Sequence, residues 1–459
     1  MNLKKIGAVI SVLMLAAAFG MKIIGGEPAV PWISIVVMLL FLIVLICEVL
    51  PVTLVCILML GFMPVLGVTK DFNTALVGFS NQVVFFIFAS FGIATALMKV
   101  PLSKRILKFL LLKFGKNSKL FVLSFMICTS LVSTVISNVP TCAVFIAIIL
   151  EMLNLMPEDE KKQTGKTFMI GIPIASMIGG VVTPAGSSIN LLAINLLQGS
   201  TDYDVTFIEW MLFGLPLAAI ILPFAWFILV KVFPPADIKK ENIDKFINDL
   251  KVPEKIIPEE KRAIIIFSTI FILWLSSSWI RSINIMVVSL IGCGVICMPK
   301  IGMLSVKEFI NKVSWDSFFL VGTVLSLGSA LVKNGVIDKA IQFLPSFGGS
   351  QVLVLACVAL CSFIFLVFIP VAPSFVTIFA PIVIHIALNA NINPALTIMI
   401  CAMCAGNAYL LPLDTVALLS FGHGYYKMFE MSKVTYIVQI AMVVVMSVLF
   451  TVIGKLVFS

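Results

Sequence analysis

Apolar runs of roughly 18 to 25 residues recur along the whole chain, separated by short polar stretches, and a helix of that length crosses about 30 Å of hydrocarbon. They predict spans at about 4 to 24, 30 to 48, 51 to 68, 80 to 99, 210 to 231, 263 to 281, 284 to 304, 315 to 332 and 433 to 456. Two more, at about 166 to 198 and 393 to 421, are interrupted. The first interruption, Gly179-Gly180-Val-Val-Thr183-Pro184-Ala-Gly186-Ser187-Ser188-Ile-Asn190, mixes Gly and Pro in a way that breaks a helix in mid-membrane. Two apolar pairs, at about 120 to 153 and 350 to 389, read as re-entrant hairpins. The tip of the first, Ser133-Thr-Val-Ile-Ser-Asn-Val-Pro-Thr141, is the most polar run inside the apolar chain. Irregular backbone at membrane depth survives only against protein or a watery cavity, so such a tip lines a site.

Between the spans the pattern changes period. Lys99 to Lys119 carries seven Lys and Arg interleaved with Leu102, Ile106, Leu107, Leu110 and Leu111, which predicts an amphipathic surface helix. The one long hydrophilic segment, about 231 to 262, holds a second short amphipathic helix through Ile243, Phe246, Ile247 and Leu250. A third short amphipathic piece runs through Lys333 and Lys339.

Composition fixes the class. Of 459 residues 61% are hydrophobic and 12% charged, more apolar surface than one soluble core can use. The chain reads as an all-α polytopic membrane protein of the cell membrane, with about eleven transmembrane helices and the two hairpins. Met1 to Lys5 and the apolar run behind it lack a small-residue cleavage site and read as the first span, not a signal peptide. Net charge +9 is explained by topology and not by a nucleic-acid partner, because the basic residues lie between the spans. With a cytoplasmic N-terminus and an external C-terminus, 25 of the 31 Lys and Arg fall inside; Lys22, Lys70, Arg281, Lys333, Lys339 and Lys455 fall outside. The ten cysteines lack ligand spacing and read as buried free thiols.

The chain carries a weak internal repeat. At an offset of 234, Ala94-Thr-Ala-Leu-Met-Lys99 aligns with Gly328-Ser-Ala-Leu-Val-Lys333, and Ser137-Asn-Val falls on Val371-Ala-Pro373 in the second hairpin. At 228, Thr183-Pro-Ala-Gly-Ser-Ser188 falls on Leu411-Pro-Leu-Asp-Thr-Val416, the expected second break. By charge the two hairpins enter from opposite sides. The expected organisation is therefore two inverted repeats, 1–231 and 263–459, joined by a cytoplasmic linker, 232–262. Such repeats bring hairpin tips and broken-helix ends together near the midplane.

Ser137 and Asn138 are site candidates, although Ser and Asn also glue membrane helices together. Ser187 and Thr415 each follow a Pro at a break and either bind or cap. Asp414 is an acid deep in the second interrupted span, expensive enough to imply function: it binds a cation or carries a proton. His385 and His423 read as structural, and neither a catalytic triad nor a Walker-type loop is present, so the chain lacks the parts of an enzyme or an ATP-driven pump.

With Ser137-Asn138, Thr183-Pro-Ala-Gly-Ser-Ser-Ile-Asn190 and Phe421-Gly-His-Gly-Tyr-Tyr426 in place, the chain resembles the divalent anion:sodium symporter family over nearly its whole length. The resemblance implies a homodimer with a fixed scaffold and an elevator-like transport domain, moving a di- or tricarboxylate or sulfate with Na⁺. It implies Ser133, Ser137, Asn138 and Gly186 at a first sodium site, and Asn138, Val139, Ser187 and Ser188 near the anion, with Thr141 behind them. Pro373, Ser374 and Thr415 are the counterparts for the anion in the second half, and Asp414 for the second cation. The chain departs from the family pattern at Val139, at Val371-Ala372-Pro373 and at Asp414-Thr415, so either Asp414 replaces lost Na⁺ ligands or coupling has passed to H⁺. An exchange-type permease, or a channel or scaffold, is the alternative.

Overall fold

The computed structural model describes residues 3–47, 49–114, 117–238, 240–280, 282–336, 350–369 and 371–458. These residues are helical with no strand among them. Eight helices are long and apolar enough to cross a membrane, and five shorter apolar helices accompany them.

The first helices form a body of their own. α1 (Leu3–Gly25), α2 (Val30–Ile46), α3 (Val52–Val65) and the one-turn α4 (Phe72–Ala75) build a core from Ile33, Val37, Phe41, Cys56 and Met63. The core is completed from far along the chain, by Val324 and Leu327 of α16 (Trp315–Lys333). α1 turns Val9, Val12 and Leu13 outward, as a lipid-facing helix does. α5 (Gln82–Lys99) bridges this body to the rest, packing on α16 and on α14 (Ile285–Ile296).

α6 (Leu102–Phe114) is the expected surface helix: Leu107, Leu110 and Leu111 are buried on α7 while the lysines face away. The hairpin follows as α7 (Ser118–Ser133) and α8 (Asn138–Leu153). Sixteen residues rise about 24 Å, short of the hydrocarbon thickness, the length expected of re-entrant arms. α9 (Glu158–Gly180), a short 3-10 turn at Pro184–Gly186 and α10 (Ser188–Ser200) make the first broken helix, and α11 (Phe207–Val232) ends the half.

The linker helix α12 (Lys240–Asp249) folds back onto the hairpin, burying Ile243, Phe246, Ile247 and Leu250, with the Phe246 ring against Phe121 and Phe125. After it come α13 (Pro258–Ser276), α14, the short α15 (Val306–Lys312) and α16. The second hairpin is α17 (Gln351–Phe368) and α18 (Ala372–Asn389); the second broken helix is α19 (Pro394–Ala405) and α20 (Thr415–Phe421); α21 (Met428–Val457) closes the chain.

The packing pattern of the two hairpin-and-break units is the same. α9 packs on both arms of the first hairpin, α19 on both arms of the second. Across them, α10 packs on α18 and α19, and α20 packs on α8 and α9. Each broken helix thus sends its second piece into the other unit.

Several boundaries differ from the sequence pattern. Met156 to Lys162 reads as a loop, yet α9 begins at Glu158, where Glu158, Asp159 and Glu160 favour the positive helix end. The span expected to reach 304 stops at Ile296, because Pro299 and a turn with Lys300 at φ 70° reverse the chain. Six of the ten cysteines are buried, but Cys361 is exposed on α17. The amphipathic piece expected through Lys339 lies outside the described residues.

Candidate substrate and cation site

The first hairpin and the first break are locked by side chains that sequence spacing alone does not pair. Ser133 Oγ donates to Asn138 Oδ1 at 2.9 Å, closing the tip on itself. Ser176 Oγ on α9 donates to the Asn138 carbonyl at 2.8 Å and lies 3.2 Å from Ser133 Oγ. α9 comes this close because its last residues lack side chains. A Cβ at Gly179 would stand 2.2 Å from the Ser130 carbonyl, and one at Gly180 would stand 2.1 Å from Asn138 Oδ1.

The break leaves helix-end carbonyls without intrahelical partners, and buried side chains take them up. Asn190 Nδ2 donates to the carbonyls of Gly180 at 2.8 Å and Thr183 at 2.9 Å, and Trp210 Nε1 to that of Val181 at 2.9 Å. Thr183 Oγ1 donates to the Thr134 carbonyl at 2.6 Å and accepts from Gly186 N at 2.9 Å, tying the break to the hairpin tip. Gly186 lies against Gly180, its would-be Cβ 2.8 Å from that carbonyl. Ser133, Asn138 and Gly186 therefore belong to one contiguous cluster. Ser187 caps α10 through Ile189 N at 3.4 Å, and Ser187 and Thr141 are buried, with Thr141 Oγ1 donating to the Ile136 carbonyl at 3.5 Å. Ser137, Val139 and Ser188 are half-buried at its edge.

The second unit is built differently. Pro373 opens α18 and Thr377 Oγ1 donates to its carbonyl at 2.9 Å, while Ser374 is fully buried with its Oγ unpartnered. The break begins at Gly406, earlier than the expected 411–416, and runs to Asp414. Within it Asn407 Nδ2 donates to the Met403 carbonyl at 2.8 Å and Gln439 Nε2 donates to the Asn407 carbonyl at 3.1 Å. Asn407 Oδ1 and Tyr409 Oη are buried without partners. Asp414 is the N-cap of α20, accepting from Val416 N at 2.9 Å, and Thr415 beside it is exposed.

The two units touch at their breaks. A Cβ on Gly406 would lie 3.9 Å from Val181 Cγ1, and Cys142 Sγ on α8 donates to the Val416 carbonyl at 3.6 Å. Asp414 thus stands one residue pair from the first hairpin, whereas α18, which carries Pro373 and Ser374, packs on α10 of the first unit. Sequence reasoning missed Ser176, Asn407, Tyr409 and Gln439. Ser176 had one signal, a lone hydroxyl one turn before Gly179-Gly180 in an apolar helix.

Among the described residues no group of three or more His, Cys, Asp or Glu could hold a metal ion. The donors present are hydroxyl, amide and carbonyl oxygens with one carboxylate, a set suited to hard cations and not to transition metals.

Comparison with known proteins places the chain among transporters. The chain is 26% identical over 418 residues to an uncharacterized transporter of Haemophilus influenzae, covering 87% of each. It is 24% identical over 428 residues to the sodium-dependent dicarboxylate transporter SdcS of Staphylococcus saprophyticus, covering 87% of this chain and 82% of that one. The crystal structure of the Alcanivorax borkumensis YdaH transporter, described as having an unusual topology, shares the fold at 14% identity with a TM-score of 0.50, over 86% of this chain and 88% of that one. The family model for citrate transporters matches residues 42–377, nearly three quarters of the chain. A multi-pass helical protein whose hairpins and broken helices interlock in this way, and whose sequence carries that match, is a transporter and not an enzyme, and it belongs to the citrate transporter (CitMHS) family.

Proposed function

We propose that the protein is a secondary active transporter that carries a di- or tricarboxylate into the cell together with Na⁺. One observation carries this reading: each hairpin-and-break unit lends its last helix piece to the other, so both breaks abut at Val181 and Gly406. Interlocked units of this kind are the product of two inverted repeats, 1–231 and 263–459, with 232–262 as linker. Asn138, Val139, Thr141, Ser187 and Ser188 face the anion from the first unit, and Pro373, Ser374 and Thr415 from the second. Na⁺ is cargo, held by Ser133, Ser137, Asn138 and Gly186, and the sodium dependence named for the SdcS relatives supports that assignment. The body of α1–α4 and α16 acts as scaffold and dimer contact, past which the two units move as an elevator. The N-terminus is cytoplasmic and the C-terminus external.

Asp414 favours a second reading of the coupling, in which H⁺ replaces one Na⁺. Its carboxylate sits where the second break meets the first hairpin, and it forms no salt bridge among the described residues. An anion bound nearby needs that charge neutralised, by a cation or a proton. Uptake of labelled succinate and citrate into proteoliposomes, with Na⁺ and pH gradients imposed separately, decides between them. Na⁺-driven uptake supports the main reading, proton-driven uptake the second, and uptake indifferent to both gradients refutes coupled transport. Asp414→Asn keeps the capping oxygen for Val416 N and removes only the charge. It is expected to leave stability within about 0.5 kcal/mol and to change the Na⁺ or pH dependence of uptake.

A further inference from the structure

Away from the hairpins, a recess of about 280 Å³ opens between the loop after α3 and the C-terminal end of α16. Lys70 and Lys333 line it from opposite sides, with Thr69, Thr74, Ser329 and Asn334 between them. Neither lysine forms an ion pair among the described residues. Thr69, which lines the recess, is 5% exposed, and its hydroxyl is buried without a partner. The neighbouring carboxylate, Asp71, is turned aside, accepting from Thr74 N and Thr74 Oγ1, both at 2.7 Å.

The walls are held in place. Asn334 Nδ2 donates to Ser34 Oγ at 2.7 Å and to the Val68 carbonyl at 3.0 Å, fixing the Lys70 loop to α2 and α16. Gly67 turns that loop at φ 77°, where a side chain would be strained. Ser326 Oγ accepts from Gly78 N at 2.9 Å, and a Cβ on Gly78 would stand 2.1 Å from the Gly322 carbonyl, so the next turn is also clamped to α16. Lys22, close to Gly67, is already engaged with the Val65 carbonyl.

A fixed recess that presents two exposed ammonium groups with no ion pair among the described residues, beside hydroxyl and amide side chains, suits an oxyanion. We propose that this recess, on the scaffold and separate from the hairpin site, binds the carboxylate or phosphate group of a small anion. The alternative that Lys333 only offsets the helix dipole of α16 leaves Lys70 and Thr69 without a role.

The two sources of such a group, a free anion and a lipid headgroup, are told apart by binding measurements on the purified full-length protein in Na⁺-free, low-salt buffer. Labelled citrate is titrated against wild type, Lys70→Ala/Lys333→Ala, Lys70→Gln/Lys333→Gln and the control Gly199→Ala. In parallel, phosphatidylglycerol retained through purification is quantified for the same proteins. If the occupant is a free anion, citrate binding falls roughly tenfold per lysine removed and is unchanged in Gly199→Ala, where a Cβ meets nothing within 4 Å. If it is a headgroup phosphate, retained lipid falls in both lysine variants and citrate binding does not depend on them. Citrate binding and lipid retention that both ignore the lysines, in variants that elute as wild type does, overturn the proposal. Failure of Na⁺-driven uptake alone leaves these readouts intact, so this site and the transport reading fail separately.

Discussion

Substituting Gly180 by Ala separates a binding role of Asn138 from a packing role. The new Cβ would stand 2.1 Å from Asn138 Oδ1 and 2.8 Å from Nδ2, against an ordinary contact beginning at 3.4 Å, so the amide must withdraw by about 1.3 Å. Asn138 ends in a side chain that can turn, so the fold loses little. The hydrogen bond from Ser133 costs about 1 kcal/mol, and replacing Gly by Ala in a helix returns about 0.5–1 kcal/mol. Net stability should change by less than about 1 kcal/mol. Gly179→Ala meets the Ser130 backbone carbonyl at 2.2 Å, which cannot turn, and must force α7 from α9 at about 3 kcal/mol. Gly199→Ala, with nothing within 4 Å, is the neutral control.

Transport should follow a different order from stability. A polar group displaced by about 1 Å from a positioned site costs on the order of a hundredfold in rate. Gly180→Ala is therefore expected to melt near wild type and to lose roughly that much substrate uptake, while Gly179→Ala loses stability first. Thermal unfolding followed by size-exclusion recovery and proteoliposome uptake measure the two quantities on one preparation. Wild-type uptake by a stable Gly180→Ala protein would remove Asn138 from the site. Equal destabilisation by both glycine substitutions would refute the geometry at the α9 end.

Two other perturbations test the supports of the site. Thr183→Val deletes the hydroxyl that joins the break to the hairpin tip, and should cost about 1–2 kcal/mol and depress uptake, with Thr183→Ser restoring both. Glu260, 1% exposed at the start of α13, accepts from Arg105 Nε at 3.0 Å and Nη2 at 2.8 Å, anchoring α6. The Arg105 guanidinium holds its carboxyl below the usual carboxylate range. The stabilisation is accordingly complete at neutral pH and is lost as pH falls through that lowered value. Glu260→Gln should lower stability by about 1–2 kcal/mol at neutral pH, and melting curves of the two proteins should converge on acidification.

What the sequence made legible was whatever leaves a periodic or compositional trace. The buried faces of α6 and α12, the first hairpin's arms and the first break all have one: apolar residues at helical spacing, arms too short to cross, Gly and Pro in a cluster; the second hairpin's arms, 18 residues each, are long and apolar enough to cross. The second break was displaced because its alignment rested on Leu411-Pro412, while the helix ends at Gly406, where Gly-Asn carries no proline to mark it. α14 was overextended because Cys297 and Met298 continue the apolar run past the last helical residue. Ser176 and Thr183 acquire their meaning from partners 38 and 49 residues away, a distance that no local pattern encodes.

The two breaks divide the work unequally. At the first, the Gly180, Val181 and Thr183 carbonyls and the Asn138 backbone are each taken by a buried side chain, Asn190 Oδ1 is left without a partner, and the glycines permit contact without a gap. Such a junction is rigid, since moving any member leaves a buried polar group unpaired at about 1–3 kcal/mol. At the second, Asn407 Oδ1, Tyr409 Oη and the nearby unit's Ser374 Oγ have no protein partner, and an acid stands at the head of α20. Groups left open to this extent gain most from a ligand, so occupancy changes the energy of the second unit more than that of the first. Under the proposed coupled transport, the ion would therefore have its larger leverage at Asp414, and Asp414→Asn should alter ion dependence more than the apparent affinity for the anion. If that substitution instead weakened anion binding at constant ion dependence, the second break would be a substrate wall and the coupling would reside in the first hairpin alone.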